Sequence, residues 1–178
     1  MEALGNDGLA DELNRERRLP PRTAGYLEQP EMRALIEDAL ALGWTLIPYE
    51  TTDMRSPFLS DGSVDRSIVN AREEDQARNL VAALPPTPLL IWCGNGHLNK
   101  ESSEGWVPMG HVFRELSGID PFCLDQTATI NDQIGLVEEL RGELEALGGT
   151  AGKLIGDLPA FCGRPVDALV FSLDNELI

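Results

Sequence analysis

The chain has 178 residues, 42% hydrophobic and 25% charged, enough for one globular domain with a sizeable core. Its formal charge of −16 weighs against nucleic acid and anionic membrane as partners, because both need a basic surface. The three cysteines, Cys93, Cys123 and Cys162, are far apart and form no CxxC pair. Structural zinc is therefore not expected, and a reducing, cytoplasmic setting is.

The opening, "MEALGNDGLADELNRERR", has no apolar leader run, and no stretch approaches a membrane span. From Asp7 to Arg18, Leu9, Ala10 and Leu13 form one stripe, which predicts a short amphipathic helix ended by Pro20 and Pro21. In "QPEMRALIEDALALG", Pro30 opens a helix, Met32, Leu35, Ile36, Ala39 and Leu40 fall at helical spacing, and Gly43 supplies the cap. A strand is expected over 44–49, ending in Glu50, then a loop over 51–64.

Asn70 followed by Glu73 resembles a capping box, opening a helix whose Ala77, Leu80, Val81 and Leu84 face the core. Prolines 85, 86 and 88 end it. A buried strand is expected over 89–93, a helix over 108–116, a strand near 121–125, a helix through Ile134 to Leu147 closed by Gly148-Gly149, and a last strand near 167–172. This alternation predicts a single α/β domain over 1–178, with a mostly parallel sheet of at least four strands flanked by helices. Two helices precede the first strand, and Glu2-Ala3-Leu4-Gly5 looks like the tail of a strand. The domain is thus expected to lack its first strand–helix unit. An uncovered parallel edge would recruit a second copy, so a homo-oligomer of limited stability is expected.

Parallel strands put their carboxyl ends on one rim, where open α/β folds bind ligands. That places Glu50, His97 and Asp125 together, with Glu2 joining them if it ends a strand. Carboxylates beside a histidine can hold a divalent metal or act as base and orienting partner. Strand-end polar residues also commonly just cap loops. Arg72, Gln76 and Asn79 share one helix face at i, i+4 and i+7. Arg72 can pair with Glu50, clamp an anionic group, or make a surface salt bridge with Glu73, Glu74 or Asp75. The glycines of "CGNGH" permit positive φ or close approach to something, and they expose His97 if it serves a cleft. His111 reads as a structural or exposed helical histidine, Ser102-Ser103 as loop, and Trp92 and Trp106 as core or loop anchors. No nucleophile elbow, Walker loop or dinucleotide fingerprint is present.

The series "EAL", "YE", "REEDQARNL", "CGNGH" and "PMGHVFREL" resembles the erythromycin esterase/ChaN-like superfamily, related to the Tiki/TraB group. The resemblance covers roughly residues 2–125. It implies catalytic roles for His97, Glu50 and Arg72 and ligand contacts for Glu2, Asn95 and Asp125. The family's Gly-Glu-x-His-like segment has no match here. A shortened chain, a start placed too late and a degenerate member all account for that. The superfamily includes macrolide-lactone hydrolases, metal-dependent proteases and haem-binding proteins. Two functions are therefore expected in competition. One is a hydrolase of the esterase or metallohydrolase type, the other a non-catalytic protein that binds haem or another small-molecule ligand. Divalent metal and haem are the cofactors the resemblance allows.

Overall fold

The computed structural model describes residues 8–21, 25–53, 55–125, 142, 145–146, 150–154 and 166–172. The chain divides into two compact units, Met1–Cys93 and Gly94–Ile178.

In the first unit, helix α1 spans Leu9–Glu16, α2 Pro30–Ala41 and α3 Arg66–Ala82. The stripes read from sequence are the buried faces. Ala10 and Leu13 of α1 pack with Ile36 and Leu40 of α2, and Leu19, Leu27 and Leu46 close the cluster. Gly43 ends α2 as expected, at φ 83°. Its N–H donates to Leu40 O (3.1 Å) and that of Trp44 to Ala39 O (2.9 Å), the two bonds of a Schellman cap. α3 starts earlier than the Asn70–Glu73 signal predicts. Asp65 is the cap, its carboxylate accepting from Ser67 N–H at 2.9 Å. The preceding loop sets this start: Leu59 N–H bonds Ser63 O (2.9 Å) and Asp65 N–H bonds Pro57 O (2.8 Å), a tight reversal around Asp61-Gly62.

The expected sheet is the main correction. Segments 44–49 and 89–93 form neither helix nor strand, and among the described residues neither pairs in a ladder. Helix-borne side chains take much of the backbone of the first segment instead. Asn14 of α1 brackets Leu46, its Oδ1 accepting from Leu46 N–H (2.7 Å) and its Nδ2 donating to Leu46 O (2.8 Å). Arg17 donates to Trp44 O (2.6 Å), and Asn79 of α3 to Tyr49 O (3.1 Å) and Glu50 O (3.2 Å). A side chain that offers a donor and an acceptor together can take the place of one ladder residue, so the segment is held without a neighbouring strand at Leu46.

The second unit holds the sheet that is described. Its strands are β1 (Leu124–Asp125), β2 (Thr150–Leu154) and β3 (Ala168–Ser172), in the order β1-β3-β2. β1 runs parallel and β2 antiparallel to β3. The described protein is thus mainly helical with a small mixed sheet, not an α/β fold on a parallel sheet of four strands. The strands near 121–125 and 167–172 lie within a residue or a few of where they are expected, and β2 has no counterpart in the sequence reading. Helix α4, Met109–Ser117, ends at Gly118 in the left-handed region, matching the helix expected over 108–116. The helix expected over 134–147 lies outside the described residues, apart from 142 and 145–146. The edge expected near Glu2 lies outside them too. No helix among the described residues is long and apolar enough to cross a membrane.

Candidate functional site

Glu50 leaves the 44–49 segment opposite the second turn of α3. The three residues at i, i+4 and i+7 all reach it, as their shared face requires. Arg72 grips the carboxylate at two points, Nε to Oε1 at 3.0 Å and Nη2 to Oε2 at 2.5 Å. Gln76 Nε2 donates to Oε1 (2.9 Å), and so does the Thr51 N–H (2.8 Å). Thr51 Oγ1 in turn donates to Asp75 Oδ2 (2.8 Å) and accepts from Asp53 N–H (3.0 Å). Asn79 holds the backbone on either side of the Tyr49–Glu50 peptide.

The cluster runs from sealed to open: Gln76 is 0% exposed, the Glu50 side chain 13% and the Arg72 side chain 46%.

Burial pushes the Glu50 carboxyl up. The hydrogen bond from Arg72, the Thr51 N–H, the charge of Arg72 and the bond from Gln76 together outweigh it, and the net shift is below the usual carboxylate range. A group with a depressed folded pKa adds stability above its unfolded pKa, and that stability is lost as pH falls through the folded value. The first unit should therefore lose stability only in acid. Melting curves across pH for the wild type and Glu50→Gln should converge at low pH and diverge above the glutamate range. Parallel curves would show that the carboxylate contributes nothing.

Glu50 is saturated with donors and easily ionised, which makes it a poor proton acceptor at neutral pH. Its geometry orients Arg72 instead. His97 and Asn95 belong to the second unit, in a 3₁₀ turn over Asn95–Leu98. His97 is half-buried, its Cδ2 lying 3.4 Å from the point where a side chain on Gly94 would begin. Trp106 Cζ2 lies 3.5 Å from where a side chain on Gly96 would begin. Neither glycine has positive φ, so close approach of the two rings, not an unusual backbone, is their use. Asp125 is buried at 1% exposure in β1. The rim argument that grouped Glu50, His97 and Asp125 fails, because the 44–49 and 89–93 segments are not strands of the described sheet. Glu2 lies outside the described residues.

The second unit has its own ionic cluster, with no signature in the sequence. Lys100, 7% exposed, places Nζ 3.1 Å from Asp120 Oδ1 and 2.7 Å from Asp167 Oδ2. Asp167 Oδ2 also accepts from Cys123 N–H at 2.7 Å, tying β1 to the stretch before β3. Burial raises the Cys123 thiol pKa, the reverse of what a nucleophile needs. His111 Nδ1 lies 3.1 Å from Lys100 O.

Among the described residues no three His, Cys, Asp or Glu side chains assemble as metal ligands. Glu50 already accepts four hydrogen bonds, so this donor set does not fit a divalent metal. No family model, curated protein or solved structure matches this chain.

Proposed function

We propose that the chain binds a small molecule through Arg72, which takes an anionic group of the ligand while Glu50 fixes the guanidinium in place. The supporting observation is the two-point Glu50–Arg72 contact at 2.5 and 3.0 Å, built on a mostly buried carboxylate and a half-exposed arginine. A guanidinium held along its Nε–Nη2 edge loses little entropy when it binds an anion, and a charged donor strengthens that hydrogen bond. An exposed ion pair alone would be worth little. The further donors spent on Glu50 speak for positioning.

The test is calorimetric titration of the full chain with phenylacetate and with inorganic phosphate. Arg72→Gln should weaken the better anion about tenfold or more, the loss of one charge-assisted contact of about 1.5–3 kcal/mol. Equal affinity in wild type and variant would remove Arg72 from the site.

A second reading is hydrolysis of an ester, as the superfamily resemblance suggests. Its support is the same preorganised guanidinium, which can stabilise negative charge developing on a carbonyl oxygen. Glu50 is a positioning residue in that reading. Turnover of p-nitrophenyl esters that Arg72→Gln abolishes would establish it; turnover unchanged in that variant would overturn it. We place the protein in the cytoplasm, a setting supported by the thiols of Cys93 and Cys123, which form no disulfide.

A further inference from the structure

Two features of the first unit have no use within one chain. The first is an apolar loop held in shape. Phe58 pairs with Val64 across the reversal at Asp61-Gly62, yet Phe58 is 68% exposed and Leu59 beside it is exposed as well. Backbone bonds from Leu59, Gly62 and Asp65 close the turn, and Ser63 donates to Asp61 Oδ1 through both its N–H and its Oγ. Large apolar side chains displayed on a preformed turn lose little conformational entropy when they are buried against a partner. The second feature is an apolar cleft of about 70 Å³ between α2, α3 and the segments 44–49 and 89–92. Ile36 and Leu80 lie at its buried end, and Trp44, Leu90 and Trp92 at its exposed end. One water needs about 10–15 Å³, so the cleft has room for a ring, and its apolar walls offer water few partners.

We propose that the Phe58 loop of a second copy of this chain fills the cleft, so that loop and cleft are the two halves of one self-association surface. The loop cannot serve its own cleft. It closes at Asp65, one residue before α3 begins, and Leu80 lies fifteen residues further along that helix, about 22 Å at 1.5 Å per residue. Phe58 sits at the base of the loop, opposite Val64, and its ring does not bridge that distance. Charge selects the occupant. Asp61 at the loop tip is exposed, and among the described residues it has no basic partner. Arg17 donates to Trp44 O at 2.6 Å, which puts its guanidinium at the cleft, and it pairs with no carboxylate among the described residues. Arg18 beside it is exposed as well. A visiting loop with a ring at Phe58 and a carboxylate three residues on matches both the apolar walls and this cation. The repulsion between two chains of charge −16 is screened beyond about 8 Å at physiological salt, so local complementarity decides. Because the loop lies at the start of α3 and the cleft toward its end, two copies with antiparallel α3 helices bring each loop to the other's cleft and close the pair.

Sedimentation velocity of the full chain tests this. The average mass of wild type should rise from 19.5 kDa toward twice that value between about 1 and 500 μM. Phe58→Ser and Leu90→Glu should each raise the dissociation constant about tenfold or more. Both positions are exposed, so both variants should melt as wild type does. Trp44 and Trp92 line the cleft, so tryptophan emission of wild type should shift to the blue over the same concentrations, and that of Phe58→Ser should not. A charge swap isolates the ion pair. Arg17→Glu and Asp61→Lys should each weaken association about threefold or more, and the double variant should associate more tightly than either single one. A wild type that stays monomeric throughout, which leaves the cleft to another occupant, overturns the inference. So does a dimer that tolerates Phe58→Ser or Leu90→Glu, or a double variant in which the two single losses simply add.

Discussion

Replacing Gly110 with alanine should destabilise the second unit, although helix propensity argues the other way. Gly110 is the second residue of α4, where alanine is intrinsically favoured by about 1 kcal/mol. A side chain there would begin 2.8 Å from Asn99 O and 3.0 Å from both His97 O and Leu98 O. These are backbone atoms of the turn that carries His97, and they cannot rotate aside as a side chain would. Overpacking of this kind costs about 1–3 kcal/mol, and the rigid backbone neighbours put this site at the upper end. The propensity gain does not offset it. Gly94→Ala and Gly96→Ala are the contrast. Their nearest neighbours are ring atoms of His97 and Trp106 at 3.4 and 3.5 Å, so both should be nearly neutral. Urea denaturation of the three variants checks the ranking. A Gly110→Ala protein as stable as wild type, or less harmed than Gly94→Ala, would show that the α4 contact is loose.

Lys100→Met should cost the second unit more, about 2–4 kcal/mol. Removing one partner of a buried ion pair leaves the other charge uncompensated, at about 3–5 kcal/mol for fully buried pairs. Here the ammonium is buried, but the side chains of Asp120 and Asp167 are 67% and 30% exposed, so water recovers part of the loss. Methionine keeps the aliphatic packing, which isolates the charge. Burial pulls the Lys100 pKa down, but the hydrogen bonds and charges of Asp167 and Asp120 more than reverse this, and the net shift is upward. A raised folded pKa gives stability that is complete below the ordinary lysine value and lost only as pH climbs through the folded one. The lysine's own contribution should therefore stay flat across neutral pH and fade in strong alkali. Chemical denaturation at neutral pH gives the loss, and its alkaline limb tests the sign. If Lys100→Met matches wild type at neutral pH, the cluster is only a solvated surface network.

The sequence by itself determined the elements whose cause is local. Helical spacing of Ile36 and Leu40, the glycine stop at 43 and the i, i+4, i+7 face of Arg72, Gln76 and Asn79 all appear where their periodicity puts them, because a helix depends on neighbours within one or two turns. The meeting of Arg72 with Glu50 was legible for the same reason: a strand-like end carrying an acid feeds a loop into a helix carrying a base. Tertiary structure alone decided whether extended chain becomes sheet. Runs such as Trp44–Tyr49 and Leu89–Cys93 suit a strand equally with or without a strand partner, and here Asn14, 32 residues from Leu46, takes backbone groups that a ladder would have used. Likewise Lys100 finds Asp167 67 residues away, and Gly110 is required by carbonyls of a separate turn. Long-range partners leave no period in the chain, because loop closure can bring any distant residue to them at nearly the same entropic cost.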